Sequence, residues 1–378
     1  MAGTDIPEIT PAQARERQRA GAVLVDVREA HERAAGFAEG ALGIARAELE
    51  ADPLATLPDR GAEVLLICQS GARSMRAAQA LKAGGYARVA SVAGGTTRWI
   101  AEGLPIEKPA GDTDFYERYS RHLKLPEVGE AGQRKLEAAR IVLIGAGGLG
   151  SPAAYYLAAA GIGTLVLADD DVVDRSNLQR QILHTDARIG VPKTESAQVT
   201  LSALNPRTRI EGVAERVTSA NVERLLADAD VVIDGADNFA ARYLLNDACV
   251  KLARPLVYGA VHRFEGQVSV FDAGRHRGSA PCYRCLFPEP PPAEAAPNCA
   301  EAGVLGVLPG VIGLLQATEA LKLVLGIGTS LAGRLLHFDA LGLRFRETRL
   351  APDPECLVCA PGRAFPGYID YAAFCAQH

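Results

Sequence analysis

The stretch Ile141–Asp171, IVLIGAGGLGSPAAYYLAAAGIGTLVLADDD, decides how most of the chain is built. The apolar run Ile141–Ile144 reads as a buried strand. It feeds a glycine turn, Gly145-Ala-Gly147-Gly148-Leu-Gly150, and then an alanine-rich helix. Pro152 falls in the first helical turn, where a missing N–H costs little. A second apolar run, Thr164–Ala168, ends in Asp169-Asp170-Asp171. The order is strand, tight turn, helix, strand. The glycines let backbone approach a bound anion, and the free N–H groups of the helix start point at it. An acid ending the second strand can hold a ribose hydroxyl. This is a nucleotide cradle, and alone it does not say which nucleotide.

The residues that follow narrow the choice. Val173–Gln181 is polar and carries Arg175 and Arg180 close behind the acidic strand end. Pro192-Lys193 opens another helix, and Val231–Asp234 is a further buried strand leading to Asp237-Asn238. Ligands of open parallel sheets bind at the carboxyl ends of strands. Asp169, Asp171, Asp237 and Asn238 fall at such ends, with Arg180 and Lys193 supplying the opposite charge. Acids with a basic pair in one crevice suit a triphosphate with magnesium.

Bulk properties bound the rest. With 378 residues there is room for two or three domains, and 48% hydrophobic with 22% charged residues is ordinary for globular protein. Net charge is −5 with no basic block, which disfavours nucleic acid. The N-terminus lacks the basic-then-apolar pattern of a signal peptide. The most apolar stretch, Val304 to Leu315, holds Pro309 and soon meets Gln316 and Glu319; it reads as too short for a bilayer. A cytoplasmic location without membrane attachment is expected. The eight cysteines are then expected reduced, for metal or catalysis rather than disulfides. The seven histidines show no metal-binding spacing.

Residues 1–108 read as a small α/β domain with strands at Ala22–Arg28, Val64–Cys68 and Val89–Val92. Helices run from Pro11, from Ser74 to Gly84, and around Trp99. Cys68 stands where an apolar strand hands over to Gln69-Ser-Gly71-Ala-Arg73-Ser74. Inward loop N–H groups and a helix dipole lower a thiol pKa and stabilise anionic sulfur. The loop from Cys68 to Arg73 is short for phosphate and fits a terminal sulfur better. Leu24-Val-Asp26-Val-Arg28-Glu29, the Cys68–Ser74 loop and Val92-Ala-Gly94-Gly95-Thr-Thr-Arg-Trp99 resemble a rhodanese domain. That resemblance implies a persulfide on Cys68. Residues 109–114 read as a linker of proline, glycine and charge.

From 115 to 360 the motifs Arg118-Tyr-Ser-Arg121, Gly145–Gly150, Ser176-Asn-Leu-Gln-Arg180-Gln181, Pro192-Lys193 and Ala236-Asp237-Asn238 occur in order. Together they resemble the MoeB/ThiF family of adenylyltransferases, related to ubiquitin-activating enzymes. The resemblance implies an α/β fold: a rhodanese-like domain followed by a Rossmann-like adenylating domain with a structural zinc. It implies an ATP site of Gly148, Asp169, Asp171, Ser176, Asn177, Leu178, Gln179, Arg180, Lys193, Asp237 and Asn238. Asp169 would hold the ribose, Asn177, Arg180 and Lys193 the phosphates, and Asp237 would work with Mg2+. Arg121 would reach the phosphates of a neighbouring subunit, making the active enzyme a homodimer. Asp170 departs from the family, where the middle acid is often apolar. The rhodanese domain also comes first here, whereas the family usually places it last.

Cys282-Tyr-Arg-Cys285 and Cys356-Leu-Val-Cys359 supply four thiolates, the number a closed tetrahedral zinc site needs. A redox dithiol would need only one pair. The family binds zinc with matching cysteines. Cys299 lies in an aperiodic stretch after a proline run and matches a crossover-loop cysteine that joins sulfur transfer in some members. Cys249 reads as core. Residues 361–378 form a short aromatic tail that covers a groove or folds back. The implied function is ATP-dependent adenylation of a C-terminal Gly-Gly on a ubiquitin-like sulfur carrier, foremost the molybdopterin synthase small subunit. Sulfur transfer then yields a thiocarboxylate. Cys68, Arg73, Arg121, Asp237 and Cys299 are the catalytic candidates, and thiosulfate or a cysteine desulfurase is the donor. An NAD-dependent oxidoreductase and a non-catalytic carrier scaffold are the competing readings.

Overall fold

The structure is a computed structural model that describes residues 6–108, 112–291 and 303–376. The chain divides into two compact units, Met1–Pro126 and Glu127–His378.

The first unit is built on strands β1 (Glu8–Ile9), β2 (Val23–Asp26), β3 (Phe37–Ala38), β4 (Leu42–Gly43), β5 (Glu63–Ile67), β6 (Arg88–Val92) and β7 (Ile106–Glu107). Five of these form a parallel sheet in the order β1-β6-β5-β2-β4, while β3 and β7 pair apart from it. The run Val64–Ile67 is apolar at every position because both sheet faces are covered. Val64 and Leu66 pack on one side with Leu81 and Tyr86, and Leu65 and Ile67 on the other with Trp99. The motif Asp26-Val-Arg28 is a buried ion pair. Arg28 Nη2 meets Asp26 Oδ2 at 2.7 Å, with the side chains 4% and 0% exposed. The guanidinium also donates to Gly36 O at 2.8 Å and to Gln69 Oε1 at 3.4 Å. It thereby pins the end of β2 to the loop that carries Cys68. Phe115, Tyr119 and Leu123 form a small cluster of their own. These residues belong to the first compact unit, which ends at Pro126.

The second unit holds β8 (Arg140–Ile144), β9 (Thr164–Ala168), β10 (Arg209–Val213), β11 (Val231–Asp234), β12 (Leu256–His262), β13 (Glu265–Phe271), β14 (Arg334–Asp339) and β15 (Arg344–Arg349). They make one eight-stranded sheet, ordered β10-β9-β8-β11-β12-β13-β14-β15. Pairing is parallel from β10 to β12 and antiparallel from β12 to β15. The glycine-turn pattern foretells the parallel half; β12 and β13 were not recognised from the sequence. Strand order reverses between β8 and β11, the position where such sheets open a crevice. Ile141 and Leu143 face one core, and Val142 and Ile144 the other.

The apolar stretch runs on as the helix Leu308–Leu325, with Pro309 in its first turn, where a missing N–H costs little. By length and composition it could cross a membrane. Instead it packs against the helix Gly150–Ala160 and against β12 and β13. Its polar residues are spent inside the protein. Gln316 donates to Asp234 O and Val257 O at 2.7 and 3.2 Å, and Glu319 accepts from Leu331 N at 2.8 Å. The tail folds back. Tyr371 donates to Asp247 at 2.8 Å, and the Phe374 ring meets Tyr243 edge-on with centroids 5.3 Å apart.

Breaking a buried ion pair by removing one partner costs about 3–5 kcal/mol. Asp26→Ala is therefore expected to lower the stability of the first unit by about that much. Trp99 is the sole tryptophan and is fully buried there, so urea unfolding followed by its fluorescence reads this unit alone. An unchanged midpoint would contradict the assignment.

Candidate functional site

Two strand-loop-helix corners carry the chemistry. In the first unit β5 ends at Ile67, and the helix Ala72–Ala83 begins just beyond the loop. Gly71 takes a left-handed turn, φ 104°, to aim its N–H at the sulfur, 3.2 Å from Cys68 Sγ. The Ser74 hydroxyl lies 3.5 Å from the same sulfur. From the other side Thr96 N and Thr97 N donate to Cys68 O and Gln69 O at 2.8 and 3.1 Å. A side chain at Gly95 would put Cβ 2.1 Å from Cys68 O, so backbone must sit there bare. Cys68 is only 1% exposed. Burial alone would push the thiol up. Hydrogen bonds from the Ser74 hydroxyl and from the N–H groups of Ser74, Ser70 and Gly71 outweigh it and hold the pKa below the ordinary thiol value. The loop is thus arranged for an anionic sulfur.

Arg73 does not bond to that sulfur. Its guanidinium forks onto Glu32, with contacts of 2.6 and 2.7 Å. Burial would raise the Glu32 carboxyl, but the Arg73 pair and the Glu29 N–H bring it down to about 2. Arg73 therefore offers a positive field beside the loop, with its fork already occupied.

The second corner is the glycine turn between β8 and the helix Gly150–Ala160. A Cβ on Gly150 would fall 1.9 Å from Gly145 O, and one on Gly145 would fall 2.5 Å from Gly235 O. The turn after β8 and the turn after β11 thus touch backbone to backbone, which places Asp237 beside the cradle. Asp169, ending β9, takes Ala146 N on Oδ2 at 2.7 Å and Asp171 N on Oδ1 at 2.9 Å. Burial raises its pKa, against the pull of Lys193 and those N–H groups. Lys193 is buried, with Nζ 2.8 Å from Asp171 Oδ2. Arg180 is braced by Asn177 Oδ1 at 2.8 Å and Ser176 O at 3.3 Å, and its stem lies against Gly148. Gln179 backs onto Gly306. Asp170 is exposed and turns to Arg216 at 3.0 Å, away from the crevice. Asp237 is exposed, and Asn238 caps the helix Phe239–Leu252 by accepting from Ala241 N at 2.9 Å. Asp169, Asp171, Arg180 and Lys193 are therefore gathered around one turn. Leu178 and Ser176 belong to the same segment, the Ser176 hydroxyl turned onto Asp174 at 2.5 Å. Arg121 is exposed within the first compact unit. Cys299 lies outside the described residues.

Three further groups support this corner, two of which carry no local signal in the sequence. Buried His184 bridges Ala146 O at 2.9 Å and Ser196 Oγ at 3.0 Å, and burial keeps its pKa low. It joins the cradle to the helix that starts at Lys193. Buried Asp234 and Arg242 form an ion pair at 3.0 Å under the β11 turn, with Arg242 also 5.2 Å from the centre of the Tyr258 ring. Gln181 is buried against Gly147. Gln181 stood in a quoted motif, whereas nothing local to His184 or Asp234 signals their partners.

The four knuckle cysteines converge, their sulfurs all within 4.8 Å of one another. Neighbouring sulfurs are 3.4, 3.6 and 3.9 Å apart. Zinc bonded at about 2.3 Å sets tetrahedral sulfurs about 3.8 Å apart, while a disulfide needs about 2.05 Å. The donor set fits a closed structural zinc and leaves no position for substrate. Arg284, between the first two cysteines, pairs with Asp247 at 2.8 Å and so links the knuckle to the tail. Cys249 is buried in the second core and burial pushes its thiol up.

The corner around Gly145 belongs to a Rossmann-like sheet, and the Cys68 corner is a loop whose N–H groups and hydroxyl favour an anionic sulfur. The rhodanese-like domain model matches residues 10–102, and the ThiF family model residues 119–358. The chain belongs to the ThiF family and carries a rhodanese-like domain at its N-terminal side. It is 50% identical over 266 residues to the SAMP-activating enzyme E1 of Haloferax volcanii, covering 70% of this chain and 97% of that one. It is 50% identical over 260 residues to the sulfur carrier protein adenylyltransferase of Thermus thermophilus, covering 68% and 96%. It is 48% identical over 266 residues to the adenylyltransferase and sulfurtransferase MOCS3 of Drosophila grimshawi, 70% of this chain but 59% of that longer one. Among solved structures, Escherichia coli MccB with ATP shares the fold, with a TM-score of 0.55 at 22% identity over 64% of this chain and 73% of that one.

Cys356→Ser is expected to lose the bound zinc and lower the melting temperature of the second unit, read by metal analysis and calorimetry. Full zinc content in that variant would exclude the four-thiolate site.

Proposed function

We propose that the protein adenylates the C-terminal carboxylate of a ubiquitin-like sulfur carrier and then converts it to a thiocarboxylate. The observation that carries this reading is one chain holding both a charged nucleotide crevice and a buried cysteine loop built for anionic sulfur. The relatives named as a sulfur carrier adenylyltransferase and as an adenylyltransferase and sulfurtransferase support it.

In the first half-reaction the carrier carboxylate attacks the α-phosphorus of ATP and pyrophosphate leaves, giving an acyl-adenylate. The residues have little covalent work here; they position and neutralise. Arg180 arrives with its guanidinium already braced by Asn177 and Ser176, so little order is lost when it meets phosphate. Lys193 is buried beside Asp171 and presents a charge of low mobility. Asp169 orients the ribose. Asp237, with Asp171, would hold Mg2+, which supplies further charge neutralisation when bound.

In the second half-reaction a persulfide on Cys68 attacks the acyl carbon through its terminal sulfur, and AMP leaves. A second thiol, assigned to Cys299, attacks the Cys68 sulfur. The S–S bond breaks, the thiocarboxylate departs, and a disulfide remains for reduction by an external dithiol. Thiosulfate or a cysteine desulfurase recharges Cys68. Arg121 completes the phosphate site of a second copy in a homodimer. Tyr156 and Val199, 59% and 55% exposed on helices that pack together, support a subunit contact. The carrier is assigned to the small subunit of molybdopterin synthase, and the four cysteines to structural zinc.

Arg180→Ala is expected to slow carrier-dependent ATP–pyrophosphate exchange on the order of a hundredfold. The fold should persist, since among the described residues Arg180 bonds only to Asn177 and Ser176. Stabilisation by NAD in a thermal-shift assay, with none by ATP, would overturn the adenylation reading. Cys68→Ala should keep the exchange but lose thiocarboxylate, measured by mass spectrometry of carriers incubated with ATP and thiosulfate. Undiminished thiocarboxylate, with no other sulfurtransferase added, would remove Cys68 from the scheme.

A further inference from the structure

Behind the cysteine loop, on the strand β6, lies Ser91, wholly buried and next to wholly buried Ser74. Their hydroxyl oxygens are 2.9 Å apart. Ser74 Oγ also lies 2.9 Å from Gly71 O and 3.5 Å from Cys68 Sγ. Among the described residues Ser91 Oγ has no other hydrogen-bond partner. A hydroxyl has one proton and two lone pairs. If Ser74 gave its proton to Ser91, the Ser91 proton would be a buried donor without an acceptor, an arrangement folded proteins avoid. Ser91 therefore donates, and Ser74 keeps its proton for Gly71 O or for the sulfur.

We propose that Ser91 is a positioning residue for the Cys68 sulfur, acting through Ser74 as a two-hydroxyl relay. While Cys68 is a neutral thiol, the Ser74 proton rests on Gly71 O. When the sulfur becomes anionic, that proton swings to it, because a charge-assisted bond is the stronger one. The bond from Ser91 stays in place throughout and polarises Ser74, which strengthens its donation. No water can replace Ser91, since both hydroxyls are closed off from solvent. The sequence shows only an unremarked serine in an apolar strand; the parallel pairing of β5 with β6, Leu66 opposite Ser91, brings it to the loop. Arg73, paired with Glu32, is the charged group beside the sulfur and is unchanged in every variant below.

The purpose of the relay rests on Cys68 being the working sulfur proposed above. The test does not, because alkylation reports the thiolate itself and needs neither ATP nor carrier. Full-length protein is treated with iodoacetamide across a pH series, and the Cys68 peptide is followed by mass spectrometry. Ser91→Ala is expected to move the rate midpoint to higher pH and lower the thiolate fraction at neutral pH about twofold, as loss of the bond that polarises Ser74 implies. Ser91→Thr, which keeps a hydroxyl, restores most of the rate. Ser91→Cys, of similar volume but a weak donor, shifts the midpoint in the same direction and serves where Ser91→Ala does not fold, as judged by Trp99 fluorescence. The pair Ser74→Ala with Ser91→Ala shifts no further than Ser74→Ala alone. A Ser91→Ala profile that superimposes on the wild type, or shifts that add in the double variant, would overturn the relay.

Discussion

The close approach of two turns governs the second unit. The chain leaves β8 and β11 at the same edge of the sheet, and Gly145 and Gly235 meet there with no room for a Cβ between them. Everything that makes the crevice follows from that contact. It brings the acid at the end of β9, which takes Ala146 N, and the turn after β11 to the same edge of the sheet. Both strands are buried on both faces, so the turn cannot relax sideways without opening a core. Gly150, against Gly145 O, sets where the helix begins and so where its dipole points.

Charges near the two corners are held in pairs that differ in purpose. Asp26 with Arg28 and Asp234 with Arg242 are buried and hydrogen-bonded on most sides. Such pairs add little net stability but strongly penalise any other arrangement of the loops they tie. The pair of Lys193 and Asp171 is different, because Asp171 is exposed and Lys193 is not. Its carboxylate faces solvent, while the lysine stays held by burial. Arg73 and Glu32 hold an intermediate position at the rim of the cysteine loop. The four-cysteine knuckle acts at greater range, joining residues near 282 to residues near 356 and, through Arg284 and Asp247, to the tail. The unit is thus closed by a metal-sized cluster instead of by more sheet.

Much of both sites was legible because short motifs carry their own geometry. A glycine turn between an apolar run and an alanine helix has few ways to fold, and the acid after the next strand must lie beside it. A cysteine followed by Gly71, Arg73 and Ser74 likewise implies a tight loop under a helix start. Arg73 shows the limit of such reading: its position beside Cys68 was plain, but its fork closes on Glu32, which comes from a helix far away in sequence. The antiparallel strands β12 and β13 went unread, because nothing local to either run names its partner strand.

By itself the sequence determined what is local: the two strand-loop-helix corners, the order of the domains, the sites of charge and sulfur, and the paired cysteine spacings. Only the tertiary structure decided which distant groups meet. It set His184 across from Ala146, Gln316 under Asp234, Ser91 behind Ser74, and the two cysteine pairs face to face. The reason is physical. A turn or a helix start is selected by sterics within a few residues, whereas the partner of a buried polar group is chosen by which strands lie side by side, and that is settled by packing of the whole core.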